Sequence, residues 1–165
     1  MIFFSTIMHN INKEQLKIKK RNDMNEYYLG NLLDWGIVLD KLEAIKKEGR
    51  LDSIQDELVR ILKYKKNWKL VEAALECVNE IKEPSAKLIE EVFNTAVDYQ
   101  MCLDTRVMAI NSLGKILIAL KNSDEESSLK KNQLYIAMMY RLLNTPQPPI
   151  FHDAISKVIF KLKPT

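Results

Sequence analysis

Apolar residues recur at three- and four-residue steps in several separate stretches of this chain. In the segment 104–120, the side chains that share one helical face are Val107, Ile110, Leu113 and Leu117. This spacing predicts an amphipathic helix, because residues three and four apart lie on the same side of an α-helix. The chain has only four Gly and five Pro in 165 residues, too few for the frequent turns of an all-β fold. The pattern therefore predicts an all-α protein.

Similar helical stretches follow one another at a nearly constant period. The stretches at 34–49 and 67–81 each begin with a capping residue followed by tryptophan, and Trp35 and Trp68 lie 33 residues apart. The remaining predicted helices are 51–65, 84–98, 129–143 and 151–162, with one more expected before residue 34. A period of this length with two helices per unit is typical of an α-helical solenoid. We therefore expect about three helix pairs and a terminal cap.

Polar residues precede several of these stretches where a side chain would bind the first free backbone amides. The predicted caps are Asp34, Asp52, Asn67 and Asp104. Gln55 follows Asp52 at capping-box spacing. Gly114 lies inside a predicted helix, where glycine is less favourable than alanine by up to about 1 kcal/mol. We expect a neighbouring helix to approach the backbone at Gly114, where a side chain would not fit.

The segment "DTRVMAINSLGKI" at 104–116 resembles the first helix of a HEAT/armadillo repeat. The matching positions are Asp104, Arg106, Ala109, Ile110, Leu113, Gly114 and Ile116. The stretch at 67–81 matches less fully, with Val71 where the family typically has Arg and Asn79 where it has Gly. The resemblance implies a right-handed α-α superhelix, a HEAT-like solenoid of about three helix pairs plus terminal capping helices.

The start of the chain differs in pattern from the rest. Its opening "MIFFSTIMHN" lacks the charged residue and the cleavage site of a signal peptide, and its apolar run is shorter than the roughly 20 residues of a membrane-spanning helix. We interpret residues 1–23 as an N-terminal extension, with Met24 as an alternative start, and 24–165 as one HEAT-like domain. A membrane-surface role for the extension is a further alternative. Cys77 and Cys102 show no metal or redox spacing, which indicates a reducing, cytoplasmic setting.

The family resemblance also implies a curved stack in which the second helix of each pair lines the concave face. A helical projection places mixed charges, one tyrosine and two arginines there, and tyrosine and arginine are enriched in protein interfaces. Its other charged residues include Asp56 on helix 51–65 and Lys87, Glu91 and Asp98 on helix 84–98. The residues predicted to bind a partner protein are Arg60, Lys63, Asn94, Tyr140 and Arg141. The expected function is a non-enzymatic protein-binding module, an adaptor or an inhibitor. An immunity protein that neutralises a toxin by tight 1:1 binding is an alternative within this class.

The segment "KYKKNWK" at 63–69 supports an alternative from another class, DNA or RNA binding. Its lysines alternate with Tyr64 and Trp68, as on a surface that follows phosphates and stacks on bases. The candidate contacts are Lys65, Lys66 and Lys69. A net charge of +3 is low for a nucleic-acid binder, and the matching tryptophan in the preceding unit suggests packing instead. The acidic stripe that follows, Glu72, Glu76 and Glu80, is expected to be compensated by a basic residue of an adjacent helix.

Motifs for catalysis are not recognisable in the sequence. The glycines are too scattered for a phosphate-binding loop, and His152 with Asp153 is interpreted as an exposed pair at a helix start rather than a metal or acid–base site. Cys77 falls at a core position and Cys102 in a loop. We therefore expect no enzyme activity, no cofactor and no metal, and an exposed thiol at Cys102.

Overall fold

The computed structural model describes residues 27–121 and 126–163, and this part of the chain contains helices and no strand. The seven α-helices are α1 (Trp35–Lys47), α2 (Gln55–Lys63), α3 (Trp68–Val78), α4 (Ala86–Val97), α5 (Leu103–Lys121), α6 (Glu126–Leu143) and α7 (Pro149–Leu162). A short 3-10 helix, Leu51–Ile54, leads into α2. The all-α class predicted from the sequence is confirmed for the described residues. The predicted extension, residues 1–23, and Met24 lie outside them, as does most of the segment before residue 34 where a further helix is expected. The described part of that segment, 27–34, forms turns.

The helices are arranged in two layers. In the first layer, α1, α3, α5 and α7 contact one another in that order. The second layer contains α2, α4 and α6, where α2 packs on α3 and α4, α4 also packs on α5, and α6 packs on α5 and α7. Apolar residues from all seven helices form one continuous buried cluster. Because each fully buried Leu, Ile or Phe contributes roughly 1.5–3 kcal/mol, this cluster is the main source of stability.

At Gly114 the backbone of α5 lies close to α7. A methyl group added at Gly114 would lie 2.6 Å from one γ-carbon of Val158 and 3.0 Å from the other. These separations are shorter than van der Waals contact. The expectation that glycine is needed there for close helix packing is confirmed.

The structure tests the predicted caps individually. Asn67 caps α3, because its side-chain oxygen accepts hydrogen bonds from the amides of Lys69 (3.1 Å) and Leu70 (3.4 Å). Asp34 occupies the N-cap position of α1 without making a side-chain capping bond. The cap predicted at Asp104 is wrong, since α5 begins one residue earlier. Asp104 lies instead in the first helical turn, where its negative charge interacts favourably with the helix dipole.

The capping box predicted at Asp52 and Gln55 is also wrong. The Asp52 carboxylate accepts hydrogen bonds from the amides of Lys82 (3.1 Å) and Glu83 (3.2 Å). Gln55 accepts one from the amide of Ser85 (2.7 Å) and donates one to the Glu83 carbonyl (2.9 Å). Both side chains therefore hold the loop before α4, about one repeat further along the chain.

Candidate interaction surfaces

The outward sides of α2 and α4 are linked by ion pairs. Lys87 Nζ lies 2.8 Å from Asp56 Oδ1, and Lys63 Nζ lies 4.0 Å from Glu91 Oε2. Asn94 Nδ2 donates a 3.5 Å hydrogen bond to the same Glu91 oxygen. The helical projection placed these five residues on one side of the second helices, and the structure brings them together. We call the outward side of α2, α4 and α6 the second-layer face.

Arg60 is the predicted partner-binding residue that the chain itself engages most. Its Nη2 atom donates hydrogen bonds to Glu57 Oε2 (2.6 Å) and to the carbonyl of Gly30 (2.9 Å). Its guanidinium carbon lies 4.1 Å from the centre of the Tyr27 ring. The side chain is only 21% exposed. Arg60 therefore mainly holds neighbouring residues of this chain in place, and little of its side chain is available to a partner.

Tyr140 and Arg141 lie near the end of α6 and are both exposed. The ring contact between α4 and α6 is made by Phe93 and Tyr135, whose centroids are 5.6 Å apart. Because Tyr140 is five residues beyond Tyr135, it lies about one and a half turns further along α6. Four of the five predicted residues, all except Arg60, thus offer exposed polar or aromatic groups on the second layer.

The lysines of segment 63–69 are partly neutralised. Lys65 pairs with Asp98, and the hydrogen bond from Lys65 lowers the pKa of that carboxyl, with a further contribution from the amide of Gln100. Lys66 is exposed beside a cleft of about 400 Å³ between the starts of α3 and α5, whose lining also includes the acidic residues Glu72 and Asp104. The segment is therefore less positive in three dimensions than its sequence suggests.

Lys69 lies beside two tryptophans. Its Nζ atom is 5.8 Å from the Trp35 ring centre and 5.6 Å from the Trp68 ring centre, distances at which a cation is attracted to an aromatic face. Trp35 is 45% exposed and Trp68 is 53% exposed. The sequence suggested packing for these matched tryptophans, and both are about half exposed rather than part of the buried core. They form a surface cluster at the starts of α1 and α3.

A groove of about 630 Å³ runs between α1 and α3. Its apolar lining is Leu39, Leu42, Ala73 and Cys77, and charged residues of both signs border it. Lys46 Nζ lies 2.9 Å from Glu80 Oε1. For Glu80, this confirms the prediction that a basic residue of an adjacent helix compensates the acidic stripe. Cys77 is buried, as predicted, and this burial raises the pKa of its thiol to about 11.

Cys102 is exposed, as predicted, and its Sγ atom lies 2.9 Å from Thr105 Oγ1. Thr105 donates its hydroxyl hydrogen to Glu72 Oε1 at 3.0 Å. Near α7, Asp153 pairs with Lys157 at 2.7 Å, and His152 is exposed. Cys102 therefore carries an exposed thiol, and His152 and Asp153 lie at an exposed helix start, as predicted.

A buried arginine, Arg106, has a role that local pattern alone did not reveal. Its guanidinium carbon lies 4.6 Å from the Tyr99 ring centre and 4.3 Å from the Phe151 ring centre. Its Nε atom donates to the carbonyl of Ala96 at 2.9 Å. Arg106 therefore joins the end of α4, the start of α5 and α7 in one cluster. In the sequence, Arg106 was noted only because the segment 104–116 resembles the first helix of a HEAT/armadillo repeat.

The described part of the chain contains neither a cluster of metal ligands nor a helix that could cross a membrane. In the ranges 27–121 and 126–163, no three His, Cys, Asp or Glu side chains are arranged to hold a metal ion. Across the same ranges, every helix is too short or too polar to cross a membrane. Comparisons with protein-family models, with curated proteins and with solved structures found no match.

Proposed function

We propose that this chain is a non-enzymatic protein-binding module, an adaptor or an inhibitor, which binds a partner protein through the second-layer face. In this proposal the two layers form a right-handed, HEAT-like superhelix and the second-layer face is its concave side. The alternation of consecutive helices between two layers supports this arrangement. The proposed location is the cytoplasm, supported by two cysteines that are both free thiols.

The observation that carries the proposal is the cross-helix order of charged side chains on α2 and α4. Lys87 and Lys63 are each held next to a carboxylate of the neighbouring helix. Long side chains that are already ordered lose less conformational entropy when a partner binds. A mixed-charge face of this kind suits a partner surface that also carries both signs, since electrostatic complementarity provides specificity.

Exposed residues of the second layer would make the direct contacts. Tyr140 and Arg141 belong to the residue types that most often dominate binding energy at protein interfaces, and both are exposed. Lys63 and Asn94 are also exposed, each beside Glu91. The partner would therefore span α2, α4 and the end of α6.

The test compares two charge-matched double variants as baits in a lysate of the native host. Lys63→Gln with Arg141→Gln removes two positive charges from the second-layer face, whereas Lys115→Gln with Lys161→Gln removes two from exposed positions of the first layer. We expect the wild type and the first-layer variant to retain the same protein after nuclease treatment. We expect the second-layer variant to bind it at least tenfold less tightly, because two cation contacts of about 1 kcal/mol each are lost.

Two results would contradict the proposal. One is equal retention of the partner by both double variants, which would place the interface elsewhere. The other is the absence of any protein that is retained specifically and stoichiometrically. An immunity role would be distinguished from an adaptor role by a 1:1 complex in which the retained protein is itself toxic and is inhibited on binding.

The second candidate, nucleic-acid binding, is favoured by the cluster of Lys69 with Trp35 and Trp68. Half-exposed tryptophans beside a lysine suit base stacking and phosphate contact. If this function holds, binding of single-stranded DNA or RNA weakens steeply with salt, and Lys66→Gln with Lys69→Gln reduces the slope of log K against log[salt] by about 1 to 2. The first-layer double variant is again the control. Weak, salt-insensitive retention would exclude this function.

A further inference from the structure

Four large apolar side chains are exposed where α1 and α3 begin. Trp35 and Trp68 are about half exposed, and the Lys69 ammonium lies beside both rings. Leu33 and Ile37 are each two residues from Trp35, and they are 69% and 58% exposed. We call this part of the surface the tryptophan edge, and its residues are Leu33, Trp35, Ile37, Lys66, Trp68 and Lys69.

The fold does not use these four apolar side chains for its own core. The residues of α1 that are buried in the core are Val38, Leu42 and Ile45. A single exposed apolar residue is common on a protein surface, whereas a group of them marks a place where something else binds. The tryptophan edge therefore indicates a partner that accepts apolar side chains.

The charges of the tryptophan edge favour an anionic partner. Lys66 and Lys69 are both exposed. The acidic residues nearby are partly offset: Asp34 is at the N-cap of α1 and Asp104 is in the first turn of α5, where the positive end of a helix dipole interacts favourably with a carboxylate. Glu72 accepts a hydroxyl hydrogen bond from within the chain. The two lysines are thus the charges most available to a partner.

We propose that the tryptophan edge binds the surface of a membrane that contains anionic lipids. Tryptophan favours the boundary between headgroups and acyl chains, which accommodates both its apolar ring and its polar N–H group. Leu33 and Ile37 enter the acyl region beside the rings, and the lysines contact the anionic headgroups. Nucleic acid fits this edge less well, because bases stack on aromatic rings and the two exposed aliphatic side chains have no role in stacking.

The chain that precedes the described residues joins them close to this edge. Tyr27, the first described residue, is six residues before Leu33, a stretch that spans at most about 20 Å. The extension 1–23 contains the apolar run "MIFF" and the basic cluster "LKIKKR". Both the extension and the edge thus combine apolar and basic residues, the composition that suits an anionic membrane surface.

This inference goes beyond the proposed protein-binding function, which uses the second-layer face. The tryptophan edge belongs to the starts of α1 and α3, which are helices of the first layer. A partner protein on the second-layer face and a membrane at the tryptophan edge can therefore be bound together. The chain then holds its partner at a membrane surface.

The experiment uses intrinsic fluorescence, because the chain has two tryptophans and both belong to this edge. The full chain is titrated with vesicles of equal parts phosphatidylcholine and phosphatidylserine, and with vesicles of phosphatidylcholine alone. We expect the anionic vesicles to shift the emission to shorter wavelength as the rings leave water, and brominated acyl chains to quench it. Binding to phosphatidylcholine alone should be at least tenfold weaker, because the attraction of the lysines is lost.

Two double variants keep both tryptophans as reporters. Leu33→Ser with Ile37→Ser removes the aliphatic side chains of the edge, and we expect it to bind anionic vesicles at least tenfold less tightly than the wild type does. Leu134→Ser with Phe160→Ser removes two exposed apolar side chains from α6 and α7, and this control should bind as the wild type does. Circular dichroism verifies that the variants are folded, and Ile37→Ser alone replaces the first variant if it is not.

Unchanged tryptophan emission on addition of anionic vesicles would overturn the proposal, as would equal binding by the wild type and the Leu33→Ser, Ile37→Ser variant. If single-stranded DNA changes the emission and anionic vesicles do not, the edge binds nucleic acid and the proposal is wrong. The titration contains no partner protein, so its failure leaves the second-layer face untouched. Conversely, equal partner retention by the two charge-matched variants contradicts that face and leaves the vesicle result standing.

Discussion

Replacing Gly114 with alanine tests the close packing of α5 on α7. In an exposed helix interior this change stabilises by up to about 1 kcal/mol. Here the added methyl group would lie 2.6 Å and 3.0 Å from the two γ-carbons of Val158. Valine in a helix has one strongly preferred rotamer, so α7 must move to relieve the overlap, and overpacking of this kind costs about 1–3 kcal/mol. The expected net effect is a loss of about 1–2 kcal/mol in the free energy of unfolding, measured by urea denaturation.

Gly36 provides a matched control, because a methyl group added there would meet no atom within 4 Å. Gly36→Ala in α1 should leave the free energy of unfolding unchanged or raise it by up to about 1 kcal/mol. In a Val158→Ala background the overlap disappears, so Gly114→Ala should become neutral or stabilising, and the double-mutant cycle should show a coupling of at least about 1 kcal/mol. If Gly114→Ala stabilises the original protein as much as Gly36→Ala does, the packing argument is refuted.

Three further predictions concern individual side chains. Arg106→Lys should lower the free energy of unfolding by about 1–3 kcal/mol, because lysine cannot stack between two rings as the buried guanidinium does; an unchanged urea midpoint would contradict this. At pH 8, iodoacetamide should modify Cys102 in the native protein, whereas Cys77, with its pKa raised to about 11 by burial, should react only after unfolding, as peptide mass spectrometry would show. The lowered pKa of Asp98 stabilises the fold above the unfolded-state pKa, and this contribution is lost as pH falls through the folded-state pKa. Asp98→Asn should therefore flatten the acid limb of the curve of unfolding free energy against pH, and an acid limb identical to that of the wild type would refute the prediction.

Much of the helical architecture was predictable because it depends on near neighbours in the chain. The three- and four-residue spacing of apolar side chains in 104–120 identified α5, which is observed at Leu103–Lys121. Asn67 was recognised as a cap because its hydrogen bonds reach only two and three residues ahead. Gly114 was noticed because glycine is costly inside a helix, and that cost implied a close neighbour, although the sequence did not say which helix it was.

The candidate surfaces were only partly predictable. A helical projection correctly grouped Lys63, Lys87 and Glu91 on one side of the second helices, since the angle per residue is a local property. It also placed Arg60 on that side, but could not show that Arg60 would bind a carbonyl 30 residues earlier in the chain. Likewise, the sequence of segment 63–69 suggested a basic surface, but it could not show that Asp98, more than 30 residues later, neutralises Lys65.

The sequence by itself determined the all-α class, the approximate helices and the position where two of them had to approach closely. Only the tertiary structure decided which polar side chains remain available. Asp52 and Gln55, predicted to cap a helix, hydrogen-bond to a loop about 30 residues later in the chain. Trp35 and Trp68 are about half exposed at the surface. The physical reason is that helix formation depends on residues within about one turn, whereas hydrogen bonds and ion pairs between segments depend on how the helices pack, and packing depends on the volumes and shapes of side chains throughout the core.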